Sequence, residues 1–415
     1  MIALELETIE PLGRLTARPW ADAVTGVKID SRRIEEGDLF VAASPAGADF
    51  VAHALARGAA ATLVPDEPHR ALAAIAGAVR DRSTARVVGI TGATGKTTTK
   101  DILAVLCAPH ARTVASEGNY NNELGVPLTL CRLEPDTEVC IVEMGMRGLG
   151  QIAWLASFAR PEVALITNVG PVHLELVETV ENVARAKAEL IDALPPGGVA
   201  VVPADEPLLD PHLARDDIEI RRVGSVDEPG VFRVGGRTVR LETNFASRHQ
   251  LENTLAALEV CDALGIEIAD GELAVDFSPL REEELELEDG VLLLNDCYNA
   301  NPLSMHAALE HLAGRAGGRR SVAVLGEMAE LGPGAAAYHR EVGAAVAGLG
   351  VDTLIAVGPL GREYAAAANG IDARCVDTAA EAAAALRATL RPGDVVLVKG
   401  SRAAGLEVVA EKLRS

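Results

Sequence analysis

Short, uninterrupted apolar segments alternate with longer amphipathic or alanine-rich segments along most of the chain. In the middle of the sequence the apolar segments are Val87–Ile90, Val139–Val142, Val163–Thr167 and Val199–Val202. The stretches with helical periodicity lie near residues 97–107, 178–194 and 248–264. Strands that alternate with helices in this way indicate a parallel sheet with crossover helices.

The alternation continues toward both ends. Near the N-terminus the predicted elements are strands Thr25–Ile29, Leu39–Ala42 and Ala61–Val64 and helices near 51–58 and 69–81. The acidic, proline-containing stretch Asp276–Asp289 is predicted to be a linker. Beyond it the predicted elements are strands Val291–Leu294, Ser321–Leu325, Thr353–Val357, Ala373–Val376 and Val395–Val398, each followed by an alanine-rich helix, and a final helix Ala403–Leu413.

A glycine-rich turn follows the first central strand and reads Thr91-Gly92-Ala93-Thr94-Gly95-Lys96-Thr97-Thr98. Its glycines let the backbone pass close to phosphate oxygens, Lys96 reaches the β/γ oxygens, and the Thr97 hydroxyl suits Mg²⁺. The general pattern G-x-x-x-x-G-K-[ST] places its first glycine where this chain has Ile90. The turn predicts a phosphate-binding loop (P-loop), and an ordinary Gly/Thr turn is the alternative.

Because single hydrophobic cores rarely grow past roughly 250–300 residues, a chain of 415 residues predicts more than one domain. The expected fold class is α/β with three domains. These are a small N-terminal α/β domain (residues 1–84), a central parallel-sheet domain with the P-loop (85–275) and a C-terminal Rossmann-like domain (276–415).

Composition narrows the classes of function. The chain is 49% hydrophobic and 24% charged, which is typical of a globular protein. Its formal net charge of −22 argues against a nucleic-acid partner, which would require a basic face. No apolar run approaches the roughly 18–20 residues that span a bilayer, so no membrane insertion is expected. An acidic N-terminal segment and six cysteines without a C-x-x-C pair favour the reducing cytoplasm.

Lysine is scarce: of 38 Lys plus Arg residues, six are lysine, at positions 28, 96, 100, 187, 399 and 412. A chain that uses Arg for ordinary charge is expected to keep Lys where a compact ammonium or a nucleophilic amine is needed. Lys96, Lys187 and Lys399 are therefore candidates, whereas Lys28 and Lys412 suit the surface. For Lys187, within the predicted helix 178–194, a snorkelling lysine is the alternative.

Two further candidates follow central strands, at the sheet edge where ligands of parallel sheets bind. Glu143 ends the strand Val139–Val142 and is expected beside Lys96, in position to hold Mg²⁺. His173 lies on the loop after Val163–Thr167, next to that metal. The alternatives are a surface glutamate and a histidine with structural hydrogen bonds.

Two loops are dense in asparagine: Gly118–Pro127, with Asn119, Asn121 and Asn122, and Asn295–Pro302, with Asn299 and Asn301. Amides donate and accept together, so both loops suit orientation of a polar substrate, and Asx turns are the alternative. Since both follow predicted strands, we expect one site between two domains.

The ordered segments TGATGKTT, GNYNNELGVP, EMG, HLE, AKAEL, DCYNANP, LGEMAELG and VKGSR resemble the Mur ligases, over nearly the whole chain. The phosphate loop is shared by all Mur ligases and by folylpolyglutamate synthase. YNANP and LGEMAELG are typical of the member that adds D-alanyl-D-alanine. The resemblance implies that ATP phosphorylates the terminal carboxylate of UDP-MurNAc-tripeptide, and that the amine of D-Ala-D-Ala attacks the acyl phosphate. A monomer is expected.

The same resemblance implies residue roles by match. Lys96, Thr97 and Glu143 would serve the phosphates and a first Mg²⁺, while His173 and a carbamylated Lys187 would serve a second. Lys96, Lys187 and His173 are the catalytic candidates. The other implied contacts are Thr91–Thr98, Asn253, Arg281 and Asp296 for the nucleotide, Ser31, Asn121 and Asn122 for the UDP-sugar, and Asn299, Asn301 and Lys399 for the dipeptide.

The chain departs from the family pattern in four places. The loop Ala43–Asp49 and the segment Gly224–Thr243 are short, Ser247-Arg-His-Gln replaces the usual Gly-Arg-His-Asn, and Glu327 stands where Asp is common. Two alternatives stay open: a related ligase with another acceptor, such as folylpolyglutamate synthase, and a non-catalytic nucleotide-binding partner protein of cell-wall assembly.

Overall fold

The computed structural model describes residues 1–281 and 283–414, which form three larger β-sheets with helices packed on them. The N-terminal strands are β1 (Leu4–Glu5), β2 (Arg14–Ala17), β3 (Ala23–Val24), β4 (Gly26–Lys28), β5 (Asp38–Val41) and β6 (Ala61–Val64). The helices here are α1 (Leu6–Ile9), α2 (Val51–Ala56) and α3 (Pro68–Asp81). The sheet order is β2-β6-β5-β4, with β2 antiparallel, and β1 pairs separately with β3.

The central sheet is parallel throughout. Its strands are β7 (Arg86–Thr91), β8 (Thr113–Ala115), β9 (Val139–Glu143), β10 (Val163–Ile166), β11 (Val199–Pro203) and β12 (Glu219–Val223). The helices are α4 (Lys96–Cys107), α5 (Gly125–Leu130), α6 (Gln151–Ala159), α7 (Leu174–Val177) and α8 (Val180–Asp192). In the sheet order β12-β11-β10-β7-β9-β8, strands that follow β7 in the chain lie on both sides of it. A crevice therefore opens at the carboxyl end of β7.

A small three-stranded sheet follows, made of β13 (Val231–Val234), β14 (Arg237–Thr243) and β15 (Gly271–Leu273), with helix α9 (Arg248–Ala263) between its last two strands. Helix α9 packs along α4, the helix that follows the glycine-rich loop. The loop is therefore fixed from behind by a helix far away in the sequence.

The C-terminal sheet has the order β16-β17-β21-β18-β19-β20 and is parallel except for β16. The strands are β16 (Glu283–Glu286), β17 (Leu292–Asp296), β18 (Ser321–Leu325), β19 (Thr353–Val357), β20 (Asp372–Val376) and β21 (Val395–Lys399). The helices are α10 (Pro302–Ala316), α11 (Ala335–Gly348), α12 (Gly361–Ala367), α13 (Ala379–Thr389) and α14 (Glu407–Arg414).

Short 3₁₀ turns complete the chain at Glu10–Leu12, Ser31–Arg33, Pro45–Phe50, Pro207–His212, Glu288–Gly290, Gly332–Gly334 and Arg402–Ala404. No helix in the described part of the chain has the length and apolar character that crossing a bilayer requires.

Burial explains the apolar runs in the sequence. Every residue of β9, β10, β18, β19 and β21 is buried, as expected for parallel strands covered by helices on both faces. One face of the central sheet shares its core with the N-terminal region, where Leu72 and Ile75 of α3 join Leu130 and Leu155. Apolar packing thus holds the N-terminal region on the central sheet.

Most predicted elements are confirmed, with ends that differ by a few residues. The prediction of a linker over Asp276–Asp289 is wrong for its second half, because Glu283–Glu286 forms β16 and pairs antiparallel with β17. Its run of glutamates hid an edge strand whose Leu285 packs against the C-terminal core. The final helix begins at Glu407, not Ala403, because Gly405 takes φ +61° after a 3₁₀ turn. The apolar pattern does not predict strands β1, β2, β3, β8 and β12 to β15.

The packing of α11 against α12 leads to a test of stability. A Cβ on Gly343 would lie 2.2 Å from the carbonyl oxygen of Tyr364, so Gly343→Ala forces a backbone shift. We expect it to lower the free energy of unfolding by about 1–3 kcal/mol in denaturant titrations. Gly348, in the same helix, has open space at its Cβ position, and Gly348→Ala is the matched control. Equal loss in the two variants would contradict this account of the packing.

Candidate active site between the central and C-terminal sheets

A cavity of about 1250 Å³ lies at the carboxyl ends of the central strands. The glycine-rich loop lines it from the central sheet, and Asp296, Asn299 and Lys399 line it from the C-terminal sheet. Both asparagine-rich loops contribute to its wall, as expected from their positions after strands. The chemistry-bearing segments of two sheets therefore face one volume.

The glycine-rich loop needs both of its glycines. Gly92 has φ +156° and an added Cβ would lie 1.8 Å from Thr167 Oγ1; Gly95 has φ +78° and its Cβ would lie 2.9 Å from Asn253 Oδ1. Asn168 Oδ1 accepts hydrogen bonds from the amides of Ala93 and Thr94, at 3.0 and 2.9 Å. The shape of this loop, here called the cradle, is thus fixed by close packing at both glycines and by the Asn168 side chain.

Lys96 folds back over this cradle, where its Nζ donates to the carbonyl of Gly92 at 2.8 Å. Burial lowers the pKa of the Lys96 ammonium; Glu143 opposes that shift and Arg281 adds to it. A bound polyphosphate would neutralise Lys96 and Arg281 together, so the site is electrostatically suited to an anion.

Glu143 is fully buried at the end of β9 and is not a surface residue. The Thr97 hydroxyl donates to Oε2 at 2.9 Å and Asn121 Nδ2 donates to Oε1 at 2.7 Å. Among residues 1–281 and 283–414, no three His, Cys, Asp or Glu side chains group as a metal site. A hydroxyl beside a carboxylate nevertheless fits Mg²⁺, which takes one or two carboxylates and completes its shell with phosphate oxygens and water.

Lys187 lies within α8, is buried, and lines the cavity. It is not the snorkelling lysine that was the alternative. Burial, followed by the positive charge of Lys96, holds its pKa well below the usual range. A lowered pKa increases the share of the amine that is neutral, and the neutral amine is the nucleophilic form.

His173 also lines the cavity, and its Nδ1 is hydrogen-bonded to the carboxylate of Glu330 from the C-terminal region. Burial lowers the pKa of the imidazole, against the opposing effect of Glu330. Glu330 engages Nδ1 of the ring, and Nε2 is the second nitrogen available to a ligand or metal. Structural bonding and a ligand role are therefore compatible for this residue.

The other nucleotide candidates surround the same volume. Asn253, Arg281 and Asp296 line the cavity, and the Arg281 guanidinium carbon lies 4.5 Å from the centre of the Tyr298 ring. Lys399 Nζ donates to Asp296 and, at 3.1 Å, to the carbonyl of Asn299. Lys399 is buried, so this ion pair fixes the ends of two neighbouring strands.

Two of the candidate asparagines make hydrogen bonds that stabilise the local fold. Asn122 Oδ1 accepts from the amides of Leu124 and Gly125, which is the Asx turn that was the alternative for this loop. Asn301 caps α10 in a reciprocal arrangement with Ser304 and also donates to the carbonyl of Ala93, at 3.3 Å. The second contact joins the C-terminal region directly to the glycine-rich loop.

Two candidates lie away from the cavity wall. Ser31 is buried in the N-terminal region with its Oγ 2.9 Å from His53 Nδ1, and it does not line the cavity. Thr91 lies beneath the loop, where its Oγ1 is buried without a hydrogen-bond partner among the described residues. All the remaining candidates line the cavity. They are Gly92–Thr98, Asn121, Asn122, Glu143, His173, Lys187, Asn253, Arg281, Asp296, Asn299, Asn301 and Lys399.

The sequence reasoning missed Asn168, Tyr298 and Glu330. Asn168 follows β10 as Glu143 ends β9, so the strand-end rule alone would have found it. Glu330 lies within the segment LGEMAELG, but that segment does not indicate the contact with His173, which is 157 residues away.

Adjacent charges on α4 connect further segments. Lys100 Nζ is 2.8 Å from Asp101 Oδ1 and donates to the carbonyls of Ser116 and Gly118, before the asparagine-rich loop. Asp101 Oδ2 accepts from the amide and hydroxyl of Ser278, at 3.0 and 2.9 Å. Lys100 and Asp101 of α4 therefore hold two segments in place: the start of the asparagine-rich loop and the segment that leads to the C-terminal sheet.

Comparison with known proteins supports this arrangement. Residues 90–261 match the Mur ligase middle domain, and residues 281–402 match the Mur ligase glutamate ligase domain. A UDP-N-acetylmuramoyl-tripeptide–D-alanyl-D-alanine ligase from Synechocystis is 36% identical, over 94% of this chain and 92% of that protein.

Two solved structures are similar along nearly their whole length. MurF from Acinetobacter baumannii has a TM-score of 0.83 at 26% identity and covers 99% of both chains. MurF from Thermotoga maritima, solved in complex with ADP, has a TM-score of 0.77 at 28% identity, over 94% of this chain and 97% of that chain.

Glu143 provides a test of the metal position. Glu143→Gln keeps the shape of the side chain but removes its negative charge. Its amide NH₂ then faces one of the two groups that donate to Glu143, the Thr97 hydroxyl or the Asn121 amide. Since a hydrogen bond or contact to a charged group contributes about 1.5–3 kcal/mol, we expect Mg²⁺·ADP to bind at least about tenfold more weakly in calorimetric titrations. ADP in EDTA should bind within about twofold of the unchanged protein. Glu123→Gln, an exposed carboxylate on the same cavity wall, is the control. A Glu143→Gln protein whose ADP affinity still rises normally with Mg²⁺ would refute the assignment.

Proposed function

The chain belongs to the Mur ligase family, and from this premise we propose that it joins D-alanyl-D-alanine to UDP-N-acetylmuramoyl-tripeptide at the expense of ATP. The product, UDP-MurNAc-pentapeptide, is a precursor for peptidoglycan synthesis. Because the reaction consumes ATP, the proposed location is the cytoplasm.

The observation that carries the proposal is the contact between Asn301 and the carbonyl of Ala93. It brings the segment Tyr298-Asn299-Ala300-Asn301-Pro302, typical of the D-alanyl-D-alanine-adding ligases, against the loop suited to the phosphates of ATP. An acyl acceptor held by one segment and a phosphoryl donor held by the other would meet in the shared cavity.

The chemistry divides an unfavourable substitution into two steps. A carboxylate oxygen of the tripeptide attacks the γ-phosphorus, the bond to the β-phosphate oxygen breaks, and ADP leaves. The neutral amine nitrogen of the dipeptide then attacks the acyl carbon, phosphate leaves with the C–O electron pair, and the ammonium proton is lost. Lys96 and Arg281 neutralise the phosphates. The ion pair between Asp296, assigned to the nucleotide, and Lys399, assigned to the dipeptide, links the two sides of the cavity.

We propose that Thr97 and Glu143 hold a first Mg²⁺, and that His173 and a carbamylated Lys187 hold a second. When bound, Mg²⁺ supplies charge neutralisation at the phosphates. A lysine ammonium has no lone pair for a metal, whereas CO₂ adds to the neutral amine with loss of one proton and leaves a carboxylate-like group. The buried position of Lys187 between α8 and the cavity favours that neutral amine.

The proposed function is tested by product release. Purified protein with Mg²⁺ and ATP should release ADP at a substantial rate when UDP-MurNAc-tripeptide and D-Ala-D-Ala are both present, and the pentapeptide product is identified by mass spectrometry. Omission of either substrate is the internal control. Turnover that needs glutamate or diaminopimelate as the acceptor would support a related ligase instead. ADP binding without turnover on any acceptor would support a non-catalytic protein.

Carbamylation is tested on the protein itself. With ¹³C-bicarbonate, a carbamate carbon resonance is expected in the unchanged protein and in Lys28→Ala, and not in Lys187→Ala or Lys187→Arg. We expect both Lys187 variants to lose turnover by about 10–100-fold or more, the range found when the surroundings of a metal are disturbed. Full turnover of Lys187→Ala, with or without bicarbonate, would exclude the second-metal role.

A further inference from the structure

Glu330 reaches from the C-terminal region to a residue of the central region. Its carboxylate is hydrogen-bonded to His173 Nδ1, and its other oxygen lies 3.8 Å from Arg147 Nη2. The main-chain amide of Glu175, two residues beyond the histidine, approaches the Glu330 carbonyl oxygen at 3.4 Å. Side chain and backbone thus place Glu330 against the same turn.

Both partners have unusual backbone conformations. His173 has φ +55° and Glu330 has φ +61°, in the left-handed region that non-glycine residues enter at a cost in free energy. Such conformations persist where the surrounding structure determines them, and they cluster at functional sites. Here two of them face each other across the junction of two sheets.

The turn that carries Glu330 is supported from behind. The Met328 amide donates to Nε2 of the fully buried His339 at 3.1 Å, and the Tyr364 hydroxyl donates to the carbonyl of Gly326 at 3.0 Å. The Leu360 amide donates to the Glu327 side chain at 2.6 Å. Glu330 is therefore presented by a fixed element of the C-terminal region and not by a free loop.

We infer that Glu330 is a positioning residue, which holds His173 by Nδ1 so that Nε2 is the metal-facing nitrogen, and so makes this metal ligand depend on the C-terminal region. The inference rests on the proposed function for the role of the metal. A carboxylate that accepts from the second nitrogen of a metal-binding histidine fixes both the tautomer and the ring orientation. The C-terminal region would then contribute to the metal position without touching the metal.

Matched variants of Glu330 separate the effect of side-chain length from the effect of charge. Glu330→Gln keeps an oxygen that accepts from Nδ1–H, whereas Glu330→Asp keeps the charge but is one methylene short, and Glu330→Ala removes both. Glu175→Ala, an exposed glutamate in the adjoining turn, is the control and is expected to behave as the unchanged protein. If Glu330→Ala does not fold, the Asp and Gln variants still decide the question.

The first readout is the His173 tautomer, measured by ¹⁵N NMR on full-length protein labelled at its nine histidines, with His173→Gln for assignment. We expect protonated Nδ1 and unprotonated Nε2 in the unchanged protein and in Glu330→Gln, and loss of that preference in Glu330→Asp and Glu330→Ala. The same tautomer in all variants would overturn the inference.

The second readout is Mn²⁺ binding, counted by electron paramagnetic resonance with a non-hydrolysable ATP analogue. Glu330→Asp and Glu330→Ala should weaken the weaker Mn²⁺ site by about 10–100-fold, and Glu330→Gln by less than about threefold. Unchanged Mn²⁺ affinity in Glu330→Ala would overturn the inference even if turnover fell. Neither readout requires turnover. Failure of this inference can therefore be told apart from failure of the proposed function, which would appear as no ADP release by the unchanged protein.

Discussion

The buried carboxylate of Glu143 joins the parts of the cavity. It ends β9, accepts from Thr97 at the start of α4, and accepts from Asn121 in the first asparagine-rich loop. Its field also opposes the loss of the proton from half-buried Lys96. The phosphate side and the substrate side of the cavity are thus built around one negative charge, whose own solvation is replaced by two hydrogen bonds.

The negative charge of Glu143 does not balance the positive groups around it. Lys96 and Lys187 lie close enough for the charge of Lys96 to depress the pKa of Lys187, and Arg281 depresses the pKa of Lys96. Anions that enter the cavity would balance these neighbouring positive groups. Nucleotide phosphates would supply negative charge at the loop, and conversion of the Lys187 amine to a carbamate would add a further negative charge to the cavity.

The sequence predicted what depends on local physics. Continuous apolar runs found the buried parallel strands, and the strand-end rule placed Glu143 and His173 at the correct edge. It failed where charge concealed an edge strand, at β16. The contacts of Glu330 and Lys100 depend on which segments the fold brings together, and periodicity carries no information on such pairs.

The attachment of Ser278 to Asp101 ties the segment between the two larger sheets to helix α4 of the central sheet. Pro279 and Leu280 separate this attachment from Arg281, and the proline ring fixes one of the intervening torsion angles. Leu280 has φ +62°, a conformation that a leucine rarely adopts. Because only two residues separate Ser278 from Arg281, the bond between Ser278 and Asp101 also limits how far the Arg281 backbone can move from the central sheet, and so keeps this positive charge at the cavity that Arg281 lines.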